Sequence, residues 1–191
     1  MNIKNLHNTI DVDIDLPKLK YEVLSLIDQV GWENSQIALQ HTGNGSWHQD
    51  VDYYGSVRKE HECTTWNSEL DDSYLKQVIL SANINVASAR IMLLPPITCY
   101  ITHVDLYTRY HVPIVNELLK SFMVFNQQNQ VLSMEPGKMY WTNTHEVHNY
   151  INGAYTNRIN IIFNDACELP YLDNPFLPML FPDFTKDVKW R

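Results

Sequence analysis

The chain has 191 residues and a formal net charge of -8, from 14 Lys and Arg against 22 Asp and Glu. Apolar residues make up 45% and charged residues 19%, which excludes a disordered polyelectrolyte and leaves length for one domain, 1–191, with a sizeable core. The basic residues form no run, no apolar stretch reaches membrane length and no signal peptide opens the chain, so neither nucleic acid nor membrane is an expected partner.

Residues 10–16 alternate Ile10, Val12, Ile14 and Leu16 with Asp11, Asp13 and Asp15, the pattern of a half-buried strand whose carboxylates face water. Pro17 suits a first helical turn, and Leu19, Val23, Leu24, Ile27 and Val30 recur at helical spacing until Gly31 stops the pattern. Residues 35–41 read as a short strand that ends at a Gly43-Asn44-Gly45-Ser46 loop. The stretch 48–67 is aromatic, polar and without period. It reads either as a substrate lid or as a surface loop pinned by a few aromatics, and His41, His48 and His61, which lack a spaced partner, read as ordinary polar residues. Asp71 or Asp72 caps a second helix to about residue 82, with Leu75, Val78, Ile79 and Ala82 on its buried face.

From residue 87 the chain turns β, with strands expected over 87–94, 99–104, 109–115, 122–126, 130–134, 138–142, 147–151 and 158–164. Strands this short and numerous, punctuated by Glu135-Pro136-Gly137 and Asn152-Gly153, predict a mainly β sandwich or barrel with two flanking helices. The domain thus divides into a helical and loop part (1–86), a β core (87–165) and a proline-rich tail (166–191). Four prolines in the tail forbid a regular helix, and its large apolar groups need a surface to cover, this barrel or a second copy, so monomer and homodimer both stand. Cys63, Cys99 and Cys167 are far apart and not at metal-ligand spacing, which points to reduced thiols and a cytoplasmic location.

The residues that carry chemistry fall within 101–158. A strand sends residues i and i+2 to one face, so His103 and Asp105 direct an imidazole and a carboxylate at a common centre. A second histidine from a distant strand completes the two-imidazole, one-carboxylate set that suits non-haem Fe(II) and leaves positions open for other ligands. His148 is the candidate, and His145 competes from the same turn. The plainer reading of His103 and Asp105 is a polar strand face near the surface. Arg158, ten residues after His148, brings a guanidinium into an apolar segment that offers no obvious acid as its fixed partner. A buried guanidinium needs an anion, and a diacid with one end on the metal and the other on Arg158 describes 2-oxoglutarate. Arg109 and His111 share a strand face, which favours a joint role over a surface ion pair and a satisfied core histidine. Tyr140 and Trp141 read as packing, and Arg90 as the start of a strand.

Taken in order, Arg90-Ile91-Met92-Leu93-Leu94-Pro95-Pro96, His103-Val104-Asp105, Arg109-Tyr110-His111-Val112-Pro113-Ile114, Pro136-Gly137-Lys138, His148 and Arg158-Ile159-Asn160-Ile161-Ile162-Phe163-Asn164-Asp165 resemble the aspartyl/asparaginyl β-hydroxylase family over residues 90–165. The resemblance implies a double-stranded β-helix, a jelly-roll of cupin type, and Fe(II)- and 2-oxoglutarate-dependent oxygenase activity. It implies iron ligation by His103 and His148, pairing of Arg158 with the distal carboxylate of 2-oxoglutarate, and a place for Arg109 and His111 near the cosubstrate's metal-bound end. The spacing to Arg158 selects His148 over His145, which falls back to a pocket wall or a solvent-facing residue. Two departures stand out. Asp105 is present where some members lack a carboxylate, which favours a full triad, and Pro96-Ile97 stands where many members read Pro-Gly, so a different turn is expected there.

The expected activity is hydroxylation of an amino-acid side chain by Fe(II), 2-oxoglutarate and O2, with succinate and CO2 as co-products. A peptide substrate with Asp, Asn or a related residue and a free amino acid such as proline both remain open, because a shared core does not fix a substrate. Two other classes compete. A non-catalytic metal- or ligand-binding cupin-like barrel has no need of Arg158, and a zinc hydrolase on the same ligands would want a general base such as Glu146.

Overall fold

The computed structural model describes residues 5–43, 47–48 and 60–171. Most of the 48–67 stretch read as a lid, the tip of the loop before it, and the tail beyond residue 171 lie outside the described residues. Helix α1 (Leu16–Val30) forms where the apolar spacing places it. The Asp15 carboxylate accepts the Lys18 amide at 3.0 Å, Pro17 sits in the first turn, and Gly31, at φ +76°, ends the helix by donating to Ile27 O. Leu19 and Val23 are fully buried, each contributing about 1.5–3 kcal/mol of apolar transfer free energy. Helix α2 (Tyr74–Leu80) is shorter than expected and is capped by Ser73, whose hydroxyl accepts the Lys76 amide. Asp71 is helical itself (φ -55°, ψ -39°), closing a 3-10 turn over Ser68–Leu70, so Ser73 is the residue with the extended backbone a cap requires. Glu22 of α1 accepts the Tyr74 and Leu75 amides and ties the helices together.

Among the described residues twelve strands follow in chain order: β1 (His7–Ile10), β2 (Gln36–Ala38), β3 (Gln40–His41), β4 (Thr65–Trp66), β5 (Val86–Leu94), β6 (Thr98–Cys99), β7 (Arg109–Val115), β8 (Ser121–Phe125), β9 (Gln130–Leu132), β10 (Met139–Thr142), β11 (His148–Asn152) and β12 (Arg158–Asp165). A six-stranded sheet has the order β1-β10-β7-β12-β5-β2, and a four-stranded sheet the order β6-β11-β8-β9; β3 and β4 pair separately. From β5 to β12 the chain alternates between the two larger sheets, apart from the β8–β9 hairpin within the smaller one, with every pairing antiparallel, which is a double-stranded β-helix.

Two expected strands differ. The first strand is His7–Ile10 rather than 10–16, because its partner β10 begins at Met139, after Gly137 at φ +78° has turned the chain beneath Leu16. The inward alternation of Val12 and Ile14 against exposed Asp11, Asp13 and Asp15 persists without a ladder. The strand expected over 99–104 stops at Cys99, and the chain continues beside β11 with only a single bridge, His103 to His148. The Ile101 carbonyl is taken by the His103 ring at 2.7 Å, not by a neighbouring strand. Ile97 has φ +50°, a left-handed conformation unfavourable for a β-branched residue, so the turn after Pro96 forms without the glycine that would suit it.

Alternation along the central strands makes two interiors. Ile159, Ile161 and Phe163 of β12 and Val112 and Ile114 of β7 pack with the helices. Arg158, Asn160, Ile162, Arg109 and His111 face the other sheet, where Met123, Phe125 and Tyr150 form a second cluster. One row of register partners crosses the large sheet as Tyr140, His111, Ile162 and Arg90. None of the three cysteines is in a disulfide. Among the described residues no helix is long and apolar enough to cross a membrane.

Candidate metal centre

Between the sheets, His103, Asp105 and His148 each offer one ligand atom, and these atoms lie within 4.8 Å of one another. Each imidazole is aimed by its backbone: His103 Nδ1 donates to Ile101 O at 2.7 Å, and His148 Nδ1 to Glu146 O at 2.9 Å. Both Nε2 atoms are thereby left as lone-pair donors, the tautomer being assigned from these bonds. The paired backbone bonds between His103 and His148, 2.9 Å each, hold the rings 4.4 Å apart. Asp105 Oδ2 accepts Arg109 Nε at 3.0 Å, while Oδ1 stands 3.8 Å from His103 Nε2. Two nitrogens and one oxygen, all unhydrated by neighbouring donors, suit a divalent first-row ion such as Fe(II) and could hold one on a single face.

Burial opposes ionisation of Asp105, but the Arg109 guanidinium and then the two histidines outweigh it and hold its pKa well below the usual carboxylate range. Burial lowers His148 to about 4, so its ring is neutral and ready to ligate at pH 7. Arg109 is itself buried and turns its other face to Glu60, with Nη2 to Oε1 at 3.0 Å and a short Nη1 to Oε2 contact. Sequence reasoning set Arg109 beside the cosubstrate. Arg109 lines the same cavity and gives its donors to Asp105, Glu60 and Asn164, so it also aims the Asp105 carboxylate.

The triad opens on a cavity with about 500 Å³ of empty space including its mouth, walled also by Arg90, Met92, Tyr100, His111, Met123, Tyr150 and Arg158. Arg158 is 3% exposed, and its guanidinium lies 3.5 Å from the Tyr150 ring centroid. Its Nε has no hydrogen-bond partner, and among the described residues no carboxylate pairs with it. Asn160 satisfies its neighbours when its amide oxygen faces Arg158 Nη2 (2.9 Å) and His111 Nδ1 (3.0 Å), since a guanidinium can only donate. His111 then accepts the Thr142 hydroxyl at Nε2, 2.9 Å away. Burial first, then Arg158 and Arg109, push the His111 pKa well down and keep the ring neutral.

His145 lies outside this cavity, with Nε2 on Glu168 at 3.0 Å. Glu146 does not line the cavity either; its Oε2 accepts Gln128 Nε2 at 2.7 Å, away from the place a hydrolytic base would occupy. His61 bonds the Tyr107 hydroxyl and His48 lies 3.5 Å from Glu33. Sequence reasoning missed Glu60, Arg90, Tyr150 and Asn160. Alternation with Ala89 and Ile91 could have pointed Arg90 inward, as alternation with Ile159 and Ile161 could have for Asn160, whereas Glu60 sits in a stretch without period.

No family model matches this chain, and no curated protein matches it. Solved structures do. A viral collagen prolyl hydroxylase from Paramecium bursaria Chlorella virus-1, in complex with 2-oxoglutarate, aligns with TM-score 0.53 at 10% identity over 84% of this chain and 96% of that one. An oxidoreductase of the 2-oxoglutarate-Fe(II) oxygenase family from Burkholderia pseudomallei gives 0.53 at 10% identity over 86% of each chain. AviO1 from Streptomyces viridochromogenes Tue57 gives 0.50 at 12% over 87% and 92%. The likeness to the aspartyl/asparaginyl β-hydroxylases therefore rests on the residue pattern alone, and what the solved structures share with this chain is the double-stranded β-helix.

Proposed function

We propose that this chain is an Fe(II)- and 2-oxoglutarate-dependent oxygenase that hydroxylates an amino-acid side chain, with His103, Asp105 and His148 as the metal ligands and Arg158 as the anchor of the distal 2-oxoglutarate carboxylate. The observation that carries this reading is the Arg158 guanidinium, buried with no carboxylate partner among the described residues, on the wall of the cavity onto which the two imidazole Nε2 atoms and the Asp105 oxygen open. A cation in that position needs an anion, and a diacid that also ligates the metal supplies it.

Fe(II) with 2-oxoglutarate and O2 supplies the oxidant that replaces C–H by C–OH, with succinate and CO2 as co-products. The protein's part is orientation and exclusion of water. Ile101 O and Glu146 O fix the rings, Arg109 fixes the carboxylate, and Asn160 fixes both Arg158 and neutral His111. Met92, Met123 and Ile162 keep the cavity wall apolar between these groups. The substrate is a peptidyl Asp or Asn, in keeping with the residue pattern of the aspartyl/asparaginyl β-hydroxylases, or a free amino acid such as proline.

The test is succinate release by anaerobically purified protein given Fe(II) and 2-oxoglutarate, then air, together with candidate amino acids and peptides. The expected result is release in the wild type that is abolished in His148→Ala and reduced at least tenfold in Arg158→Ala, as loss of a charge-assisted pair implies. Release that is indifferent to both substitutions would overturn the reading.

A further inference from the structure

Arg90 is a third guanidinium on the cavity wall, and neither the metal centre nor the diacid at Arg158 uses it. β5 sends it inward in the same row as Ile162 and His111, and it is 7% exposed. Among the described residues its hydrogen bonds come from Nη1, to Ser88 Oγ at 2.7 Å and Ser88 O at 3.3 Å. Ser88 is held at φ +54°, a conformation uncommon for a residue with a side chain, in the arrangement that meets Arg90. Arg90 Nη2 stands 3.8 Å from Glu60 Oε1, beyond hydrogen-bond reach, and both Glu60 oxygens already accept from Arg109. Arg90 Nε is buried, with no hydrogen-bond partner among the described residues. Burial works against the charge on Arg90, and Glu60 only partly offsets this.

Charge balance leads to the same place. Among the described residues around the cavity, Arg90, Arg109 and Arg158 stand against Asp105 and Glu60, an excess of one positive charge. A divalent ion adds two charges and a bound diacid removes two, so the excess remains. Arg158 lies four residues before Ile162 on β12, which puts it roughly 13 Å along the sheet from the row that holds Arg90, at ~3.3 Å per residue. A short diacid held at Arg158 and at the metal therefore leaves Arg90 to a second molecule.

We propose that Arg90 anchors the substrate, and that the substrate carries a carboxylate which pairs with Arg90 Nε and Nη2 beside the metal centre. The anion subsite follows from Arg90 and its surroundings; that its occupant is the substrate rests on the oxygenase reading above. The carboxylate belongs either to a free amino acid or to an acidic side chain in a peptide.

Calorimetric titration of the full chain, loaded with Mn(II) in place of iron and run with and without 2-oxoglutarate, tests this. The probes are L-aspartate, L-glutamate and L-proline, their carboxamides, and a peptide capped at both ends with a single Asp or Asn. Wild type should bind at least one acid roughly 10- to 100-fold more tightly than its amide, as expected for a hydrogen-bonded charge. Preference confined to free acids identifies an α-carboxylate, and preference confined to the Asp peptide identifies a side chain. Arg90→Met should erase the acid preference and leave 2-oxoglutarate affinity within about twofold, since that affinity is assigned to Arg158. Arg90→Lys, which keeps the charge but not the fork, should retain part of the preference and serves if the methionine variant does not fold. The proposal is overturned if no acid binds better than its amide, if both variants keep the full preference, or if either variant loses 2-oxoglutarate. A wild type that binds acids through Arg90 but never 2-oxoglutarate would remove the oxygenase reading and leave the anion subsite standing.

Discussion

Asp105, whose side chain is 22% exposed, is held by a chain of charge that runs through buried Arg109 to buried Glu60. Removing one member of a buried pair leaves the others uncompensated, so Glu60→Gln is expected to cost about 3 kcal/mol and lower Tm by roughly 6–12 °C. It should also weaken Mn(II) binding by roughly 10- to 100-fold, because Arg109 then aims Asp105 less firmly. Calorimetric melting and metal titration check both, with Lys138→Gln, which breaks an exposed pair with Glu135, as the control that should barely move. An unchanged metal affinity in Glu60→Gln would mean that Arg109 needs no support. His111 sets a pH dependence. Its folded pKa is depressed by burial and two arginines, so as pH falls through about 6.5 the unfolded chain takes a proton that the native ring refuses. Stability is thus fully present above about pH 6.5 and declines below it, with His148 acting in the same direction down to about 4. The denaturation midpoint of metal-free protein should fall between pH 7 and 5, and His111→Gln should flatten that slope; equal slopes would contradict the assignment. At this scale the meeting of His103, Asp105 and His148 was legible, the first two from their spacing on a strand and His148 from the family-like distance to Arg158. Glu60 was not, since a carboxylate on an irregular segment gives no periodic sign of the arginine it will reach.

Among elements, β5, β7 and β12 were readable nearly to their ends, because each carries a β-branched face toward the helices and so keeps period two even where polar residues occupy the other face. The segment after β6 was not readable as it stands. Its apolar and polar residues alternate like a strand, but the His103 ring takes the Ile101 carbonyl from the ladder, so side-chain chemistry overrides the backbone pattern. The start of α2 was misplaced because Asp and Ser cap about equally well and only backbone conformation decides between them: Asp71 is helical and Ser73 is extended. Ser73→Ala should therefore destabilise the protein by about 1 kcal/mol, or roughly 2–4 °C in Tm, whereas Asp72→Ala should not. A larger loss in the Asp72 variant would restore the cap that the sequence pattern favours. Glu22 couples this cap to α1, so Glu22→Gln with Ser73→Ala should give a non-additive loss in a double-mutant cycle.

Over the whole molecule, alternation of the chain between two antiparallel sheets brings residues from β5, β7, β11, β12 and the loop after β6 to one cavity. No short stretch of sequence contains that cavity, which is why the mainly β class and the flanking helices could be read from periodicity while the neighbourhood of Arg90 and Glu60 could not. The proposed site sets two neutral imidazoles and one ionised carboxylate beside buried arginines, and both halves should be needed together. The measurement that tests this most directly is calorimetric titration of 2-oxoglutarate into the metal-free and the Mn(II)-loaded chain, with Arg158→Met and His148→Ala beside the wild type. The account predicts saturable binding only when metal is present, absent in His148→Ala and weaker by roughly 10- to 100-fold in Arg158→Met. Binding that ignores the metal, or an Arg158→Met variant with wild-type affinity, would contradict it.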